Sequence, residues 1–144
     1  MSPRQILIGA GVVGLTGVLA GAFGAHGLAS RGVSAEALGW WETGARYQLG
    51  HAAVLLGCGV WAARTDRGAG AQRRLLGVAA WAFLLGVAVF AGTLYAMTLG
   101  APRWLGAVTP VGGLSLMVGW GLLAAAGWWE RKAERGATDN DAGS

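Results

Sequence analysis

From Gln5 to Ser30 the chain carries no Asp, Glu, Lys or Arg. A surface helix or strand of a water-soluble domain needs a polar face. Roughly 20 apolar residues in a helix, by contrast, cross the ~30 Å hydrocarbon layer of a bilayer. The run therefore reads as a membrane-crossing helix, with Ser2 as N-cap and Pro3 as first helical residue. Within it Gly9, Gly11 and Gly14 spell G-x-G-x-x-G. A dinucleotide turn would need a strand ending there, a helix opening at the glycines, and an acid about 20 residues further on. The first acid is Glu36, beyond Arg31, so the motif fails its context.

The glycines suit another use. Ala10, Gly14, Gly17, Gly21 and Gly24 recur every three or four residues and line one helix face. In lipid, small residues let backbones approach until van der Waals contact replaces the missing hydrophobic force. The expectation is a helix-packing seam. The apolar stretch is longer than the 7–15 residues of a signal-peptide core and has no clear A-x-A site at a sensible distance. It is read as an uncleaved first helix.

Composition supports the same class. Charged residues make up only 12% of the 144-residue chain and hydrophobic ones 54%, where a soluble domain carries roughly a quarter of its residues as charges. The pI of about 10.2 does not indicate nucleic acid, because the basic residues form no stripe or aromatic-interleaved patch. The single cysteine, Cys58, permits no internal disulfide and reads as a small buried hydrophobe.

Three further spans follow. A helix capped by Ser34, with Glu36 in its first turn, runs to about residue 63, its apolar part covering about 44–63. Glu42 and Arg46, at i and i+4, are expected to pair just outside the membrane. The third span covers 75–99 and stops at Gly100 and Pro102. The fourth covers 109–129, opening at Thr109-Pro110 with Thr109 as N-cap. Residues 1–129 thus form an all-α, four-helix up-down bundle, and residues 130–144 a polar tail, helical at first and frayed later.

Short-loop Lys and Arg set the orientation. Arg4, Arg64, Arg67, Arg73, Arg74, Arg131, Lys132 and Arg135 lie on one side, against Arg31, Arg46 and Arg103 on the other. Both termini are expected in the cytoplasm, with Trp40, Trp41 and Trp104 near the outer interface.

In such a bundle the unusual polar residues converge on the outer leaflet. His26 ends the first span; Thr43, Tyr47 and His51 share one face of the second, with Gln48 beside them. Thr93 and Tyr95 end the third, and Thr109 lies above the fourth, whose free N–H groups attract negative charge. A ligand site of His26, Tyr47, Gln48, His51, Tyr95 and Thr109 is one reading. Hydrogen-bonded glue between helices, averaging about 0.6 kcal/mol per group, is the other. His26 and His51 facing each other are too few for a typical zinc site, and no carboxylate lies at that depth. No metal or cofactor is expected. No Asp, Glu, Lys or Arg lies well inside any span, which argues against an ion-coupled pump.

The stretches GAFGAHGL, TGARYQLGH, FAGTLY and TPVGGLSLMVGW resemble the YgdD/YwdK-type inner-membrane proteins, domain-of-unknown-function family 423. The third stretch matches more loosely, with Ala91 and Thr93 where serine is expected. The resemblance covers nearly the whole chain except the tail. It implies a four-helix multipass protein of the bacterial inner membrane and brings no activity, cofactor or catalytic residue with it.

The functional expectation is a non-enzymatic helper or partner-binding subunit, in contact with the bilayer and with either a membrane-protein partner or a second copy. The alternative is a binding module or small-solute channel with a His/Tyr/Thr pocket in the outer leaflet. A membrane enzyme using His26 or His51 as a base lacks an accompanying nucleophile or metal set.

Overall fold

A computed structural model describes residues 1–65 and 69–141, with side chains through residue 129. Arg67, counted above in the second loop, and the last three tail residues lie outside that set. Every regular element described is helical. The long helices are α1 (Pro3–Ala22), α2 (Ala35–Arg64), α3 (Gly70–Thr98) and α4 (Thr109–Asp141).

The expected caps form at two helix starts. Ser2 Oγ accepts from the Gln5 amide at 3.3 Å while Gln5 Oε1 accepts from the Ser2 amide at 2.8 Å, a reciprocal box with Pro3 just inside. Ser34 Oγ accepts from the Ala37 amide at 3.3 Å, opening α2. At the end of α3, Gly100 takes the left-handed conformation (φ 98°) that side chains with a Cβ avoid, which stops the helix.

Four details depart from the sequence reading. α1 does not run evenly to residue 30: it widens into a π-helical turn over Phe23–Leu28, then tightens into a 3₁₀ turn over Ala29–Arg31. A side chain that inserts into the helical ladder distorts it, and here the Trp41 indole N–H donates to Ala20 O at 2.7 Å, just before the widening. Thr109 is the first residue of α4 rather than its cap, after a 3₁₀ turn over Arg103–Ala107. The tail backbone stays helical to Asp141. Finally, Glu42 and Arg46 do not pair. The one ion pair among the described residues joins Glu36 to Arg103 at 2.7 Å, between the start of α2 and the turn before α4. Exposed i,i+4 pairs are worth a few tenths of a kcal/mol, too little to hold two long side chains in one geometry.

Among the described residues, three helical stretches are long and apolar enough to cross a membrane: Pro3–Arg31, Gly70–Thr98 and Arg103–Trp129. α2, expected as a fourth span, has the length but not the apolarity. It is instead flanked by protein, packing against α1 on one side and α3 on another.

Contacts follow chain order, α1 on α2, α2 on α3 and α3 on α4. Leu7 meets α2 at Gly59, and Gly24 meets it at Trp41. On α3, Tyr95 meets α2 at Gly44 while Phe83 meets α4 at Gly119. The tightest approach to backbone is at Gly112, where a Cβ would lie 2.5 Å from the Phe90 backbone nitrogen. The core comprises Ile6, Leu55, Cys58, Leu76 and Phe83 at its centre, with Ala79, Ala80 and Ala126 filling the gaps. Three side-chain-to-carbonyl bonds tie α3 to its neighbours: Thr98 Oγ1 to Ala37 O at 2.9 Å, Ser115 Oγ to Ala82 O at 2.8 Å, and Gln72 Nε2 to Ala126 O at 3.5 Å.

Candidate functional site

Gln48 organises the first polar cluster. It sits on the α2 face turned toward both α1 and α3 and is buried. Its amide nitrogen donates to Val13 O at 3.0 Å and to Thr16 Oγ1 at 2.7 Å, while its Oε1 accepts from the Tyr95 hydroxyl at 2.9 Å. Thr16 also donates to Val12 O at 2.7 Å, so the cluster is closed at the α1 end. One side chain thus ties three helices together. Gly17 makes this approach feasible, since a Cβ there would lie 3.3 Å from Gln48 Cγ and 2.9 Å from a Leu49 methyl.

Trp41 sits farther toward the start of α2. It was expected at the outer interface, yet its ring is buried between α1 and α3. Gly24 makes the slot: a Cβ there would lie 2.6 Å from the ring. Tyr95 packs on the other side, its ring tilted by 44° with ring centroids 4.4 Å apart. An indole whose N–H finds a carbonyl carries no polar penalty when buried, which is why this Trp is core rather than belt.

Thr93 and Thr109 share a hydrogen bond of 2.8 Å across α3 and α4. The Thr109 hydroxyl is therefore engaged by its neighbour helix rather than held free above a helix N-terminus.

The two histidines do not meet. His26 lies exposed on the π-helical turn and makes no side-chain hydrogen bond to any described residue. His51 is only 9% exposed and lies deeper. Gly24 marks the Trp41 level of α2, and the ten residues from Trp41 to His51 rise about 15 Å. The spacing on α2 was readable, but which α1 residue lies opposite depends on the Gly24–Trp41 slot, a contact between distant segments.

His51 has its own surroundings. Its Nδ1 is 2.8 Å from Tyr47 O, and a carbonyl only accepts, so Nδ1 carries the proton. That leaves Nε2 as a bare acceptor, and it is buried with no partner. Aromatic rings line the site: Tyr47 stacks at 6.0 Å, Phe83 is tilted at 5.5 Å, and Trp120 stands edge-on at 6.3 Å. Phe90 backs Tyr47 at 4.5 Å. Tyr47 and Trp120 are 44% and 49% exposed, so they form the outer walls.

The six proposed ligand residues thus fall into separate groups: Gln48 with Tyr95, Tyr47 with His51, Thr109 with Thr93, and His26 alone. The seam glycines also differ. Gly17 and Gly24 accept close neighbours, Gly14 faces the Ala52 methyl at 3.7 Å, and a Cβ at Gly21 would meet nothing within 4 Å. Sequence reasoning missed Trp41, Thr16, Phe83 and the Trp120 wall. Thr16 alone carried a signal, a hydroxyl inside the apolar run. No three His, Cys, Asp or Glu side chains cluster as metal ligands among the described residues.

These features define an all-α membrane protein whose buried polar groups are uncharged and nearly all paired with one another. The chain belongs to the DUF423 family, described as "Protein of unknown function", whose profile matches residues 20–113. Over 126 residues it is 40% identical to the UPF0382 inner membrane protein YgdD of Escherichia coli K12, covering 85% of this chain and 88% of that one. A UPF0382 membrane protein of Staphylococcus saprophyticus is 37% identical over 103 residues, 72% of this chain and 79% of its own. One of Haemophilus influenzae is 37% identical over 107 residues, 74% and 80% of the two chains. No solved structure matches. The chain is a multipass inner-membrane protein of a family whose activity is unknown.

Proposed function

We propose that this protein is a non-catalytic, partner-binding subunit of the inner membrane, docking through the outer face of α2. The observation that carries this reading is a mismatch on that helix. α2 falls short of the apolarity of a lipid-facing span, yet it presents Gly50, Ala53, Leu56, Gly57 and Val60 as an exposed face. At Gly50 and Gly57 a Cβ would meet nothing within 4 Å. Lipid chains gain little from such a surface, whereas a second helix can approach its backbone closely.

In this reading the four helices form an up-down bundle with both termini in the cytoplasm. The pairing of Leu7 with Gly59 and of Gly24 with Trp41 supports reversed neighbours, and the Lys and Arg distribution supports the orientation. The non-catalytic part rests on the polar inventory. Gln48, Tyr95, Thr93, Thr98 and Thr109 are all committed to interhelical bonds. The binding-module alternative is favoured by one observation, the unpartnered Nε2 of His51.

Crosslinking tests the reading. In a Cys58→Ser background, Ala53→Cys and Gly57→Cys should give a discrete adduct in native membranes with a short thiol crosslinker. Val12→Cys, on the exposed face of α1, should not. No adduct at either α2 position, or an equal yield at residue 12, contradicts the proposal. The mass of the adduct separates a second copy from another protein.

A further inference from the structure

His51 Nε2 is the one buried side-chain nitrogen or oxygen among the described residues that has no hydrogen-bond partner. A buried acceptor left empty is costly, and in native structures it points to something missing. The site's own chemistry narrows what that is. A metal ion would find a single donor there. A buried water needs two to four polar partners, and among the described residues Nε2 is the one buried side-chain group without a partner, the nearby Gln48 and Tyr95 groups already satisfying each other.

A cationic amine fits no better. Between Gln5 and Ser30, along α3, and from Thr109 to Trp129 there is no acidic residue. On α2 itself the nearest acid is Glu42, nine residues and about 13 Å away. An ion at this depth without a countercharge is strongly disfavoured. What remains is a neutral molecule that brings one O–H donor and an apolar body. The walls specify the body: the rings of Tyr47, Phe83 and Trp120 stand 5.5–6.3 Å from the imidazole, at distances and tilts that favour offset or edge-on aromatic contact.

We propose that His51 Nε2 and the rings of Tyr47, Phe83 and Trp120 form a binding site for a lipid-soluble aromatic alcohol, a phenol or hydroquinone. Its hydroxyl donates to Nε2 and its ring lies among the three aromatic side chains. Entry is from the lipid, past Trp120. That indole is half exposed, makes no hydrogen bond to a described residue, and sits between Gly119 and Gly121, so it is the wall that yields. The site is separate from the outer face of α2, and either proposal stands without the other.

The test uses the full chain, labelled with ¹⁵N-histidine, in nanodiscs of phosphatidylethanolamine and phosphatidylglycerol. The His26→Ala variant assigns the two imidazoles. The probes are 4-octylphenol and 4-octylanisole, which share a shape but differ in the donor. The proposal expects a non-protonated Nε2 resonance for His51 that 4-octylphenol moves saturably and that 4-octylanisole leaves in place. One hydrogen bond corresponds to an affinity ratio of about tenfold between the probes. In native mass spectrometry, His51→Phe, which keeps a ring and removes the acceptor, should abolish that preference. Equal shifts with both probes, no shift with 4-octylphenol, or a protonated Nε2 overturns the assignment, as does a preference that survives in His51→Phe. The titration on wild-type His51 decides the matter even if the variant fails to fold.

Discussion

Replacing Gln48 by leucine keeps side-chain volume but removes three hydrogen bonds, to Val13 O, Thr16 Oγ1 and the Tyr95 hydroxyl. Side-chain hydrogen bonds inside membrane proteins average about 0.6 kcal/mol, so the three together contribute about 2 kcal/mol. The substitution also strands the Tyr95 hydroxyl. It has no other hydrogen bond, and leaving a buried hydroxyl unpaired costs about 1–3 kcal/mol. The added apolar surface returns little, because the unfolded helices already lie in lipid. Gln48→Leu should therefore lose about 3–5 kcal/mol. Tyr95→Phe alone should lose less, since its ring stays held against Trp41 and Gly44. The double variant should recover part of the sum, with a coupling energy of about 0.6 kcal/mol and an upper bound of about 1.7 kcal/mol. Steric trapping in bilayer-like micelles reads these values at equilibrium. A Gln48→Leu protein within 0.5 kcal/mol of wild type (roughly the limit of additivity at independent sites), or strictly additive single losses, would refute the claim that this side chain clamps three helices.

Two other perturbations test the packing and the orientation. At Gly112 an added Cβ would meet the Phe90 backbone nitrogen at 2.5 Å and Gly86 O at 2.9 Å; neither can rotate away, so Gly112→Ala should destabilise by about 1–2 kcal/mol after its helix-propensity gain. Gly121→Ala, whose Cβ meets open space, should be neutral or stabilising in the same unfolding assay, and the reverse order of the two variants contradicts the packing argument. In a Cys58→Ser background, a membrane-impermeant maleimide should label Ser30→Cys and spare Ala69→Cys in intact spheroplasts, whereas labelling of Ala69→Cys alone reverses the proposed orientation.

What the residues disclosed on their own depended on the range of the interaction. The long helices were legible because charge-free runs and caps are local: Ser2 and Ser34 both cap, and Gly100 ends α3. The α1 seam was legible in part, because a three-and-four spacing marks a face but does not say which members meet a neighbour. Gly17 and Gly24 do, and Gly21 does not. The seam between α3 and α4 went unread because its members, Gly86, Gly112 and Gly119, are distributed over two facing helices. The expected histidine pair failed for a related reason. Placing His26 opposite a residue of α2 needs the register between two helices, and that register is set by one tryptophan entering a glycine slot.

The distribution of polarity over α2 explains why the least apolar helix has the most elaborate surroundings. One face carries Trp41 and Gln48 against α1 and α3, and these groups are satisfied by carbonyls and hydroxyls of those helices. A second face carries His51 toward α3 and α4, where the imidazole meets aromatic rings and one nitrogen stays empty. A third carries Gly50, Ala53 and Gly57 outward. Fully paired polar groups inside lipid hold a bundle together and resist change, so the first face is structural. In the proposed readings the other two are completed from outside the single chain, one by a hydrogen-bond donor and one by a second helix. An incomplete face costs stability that glue alone would not require. Function, on this argument, lies where α2 is unsatisfied rather than where it is most polar.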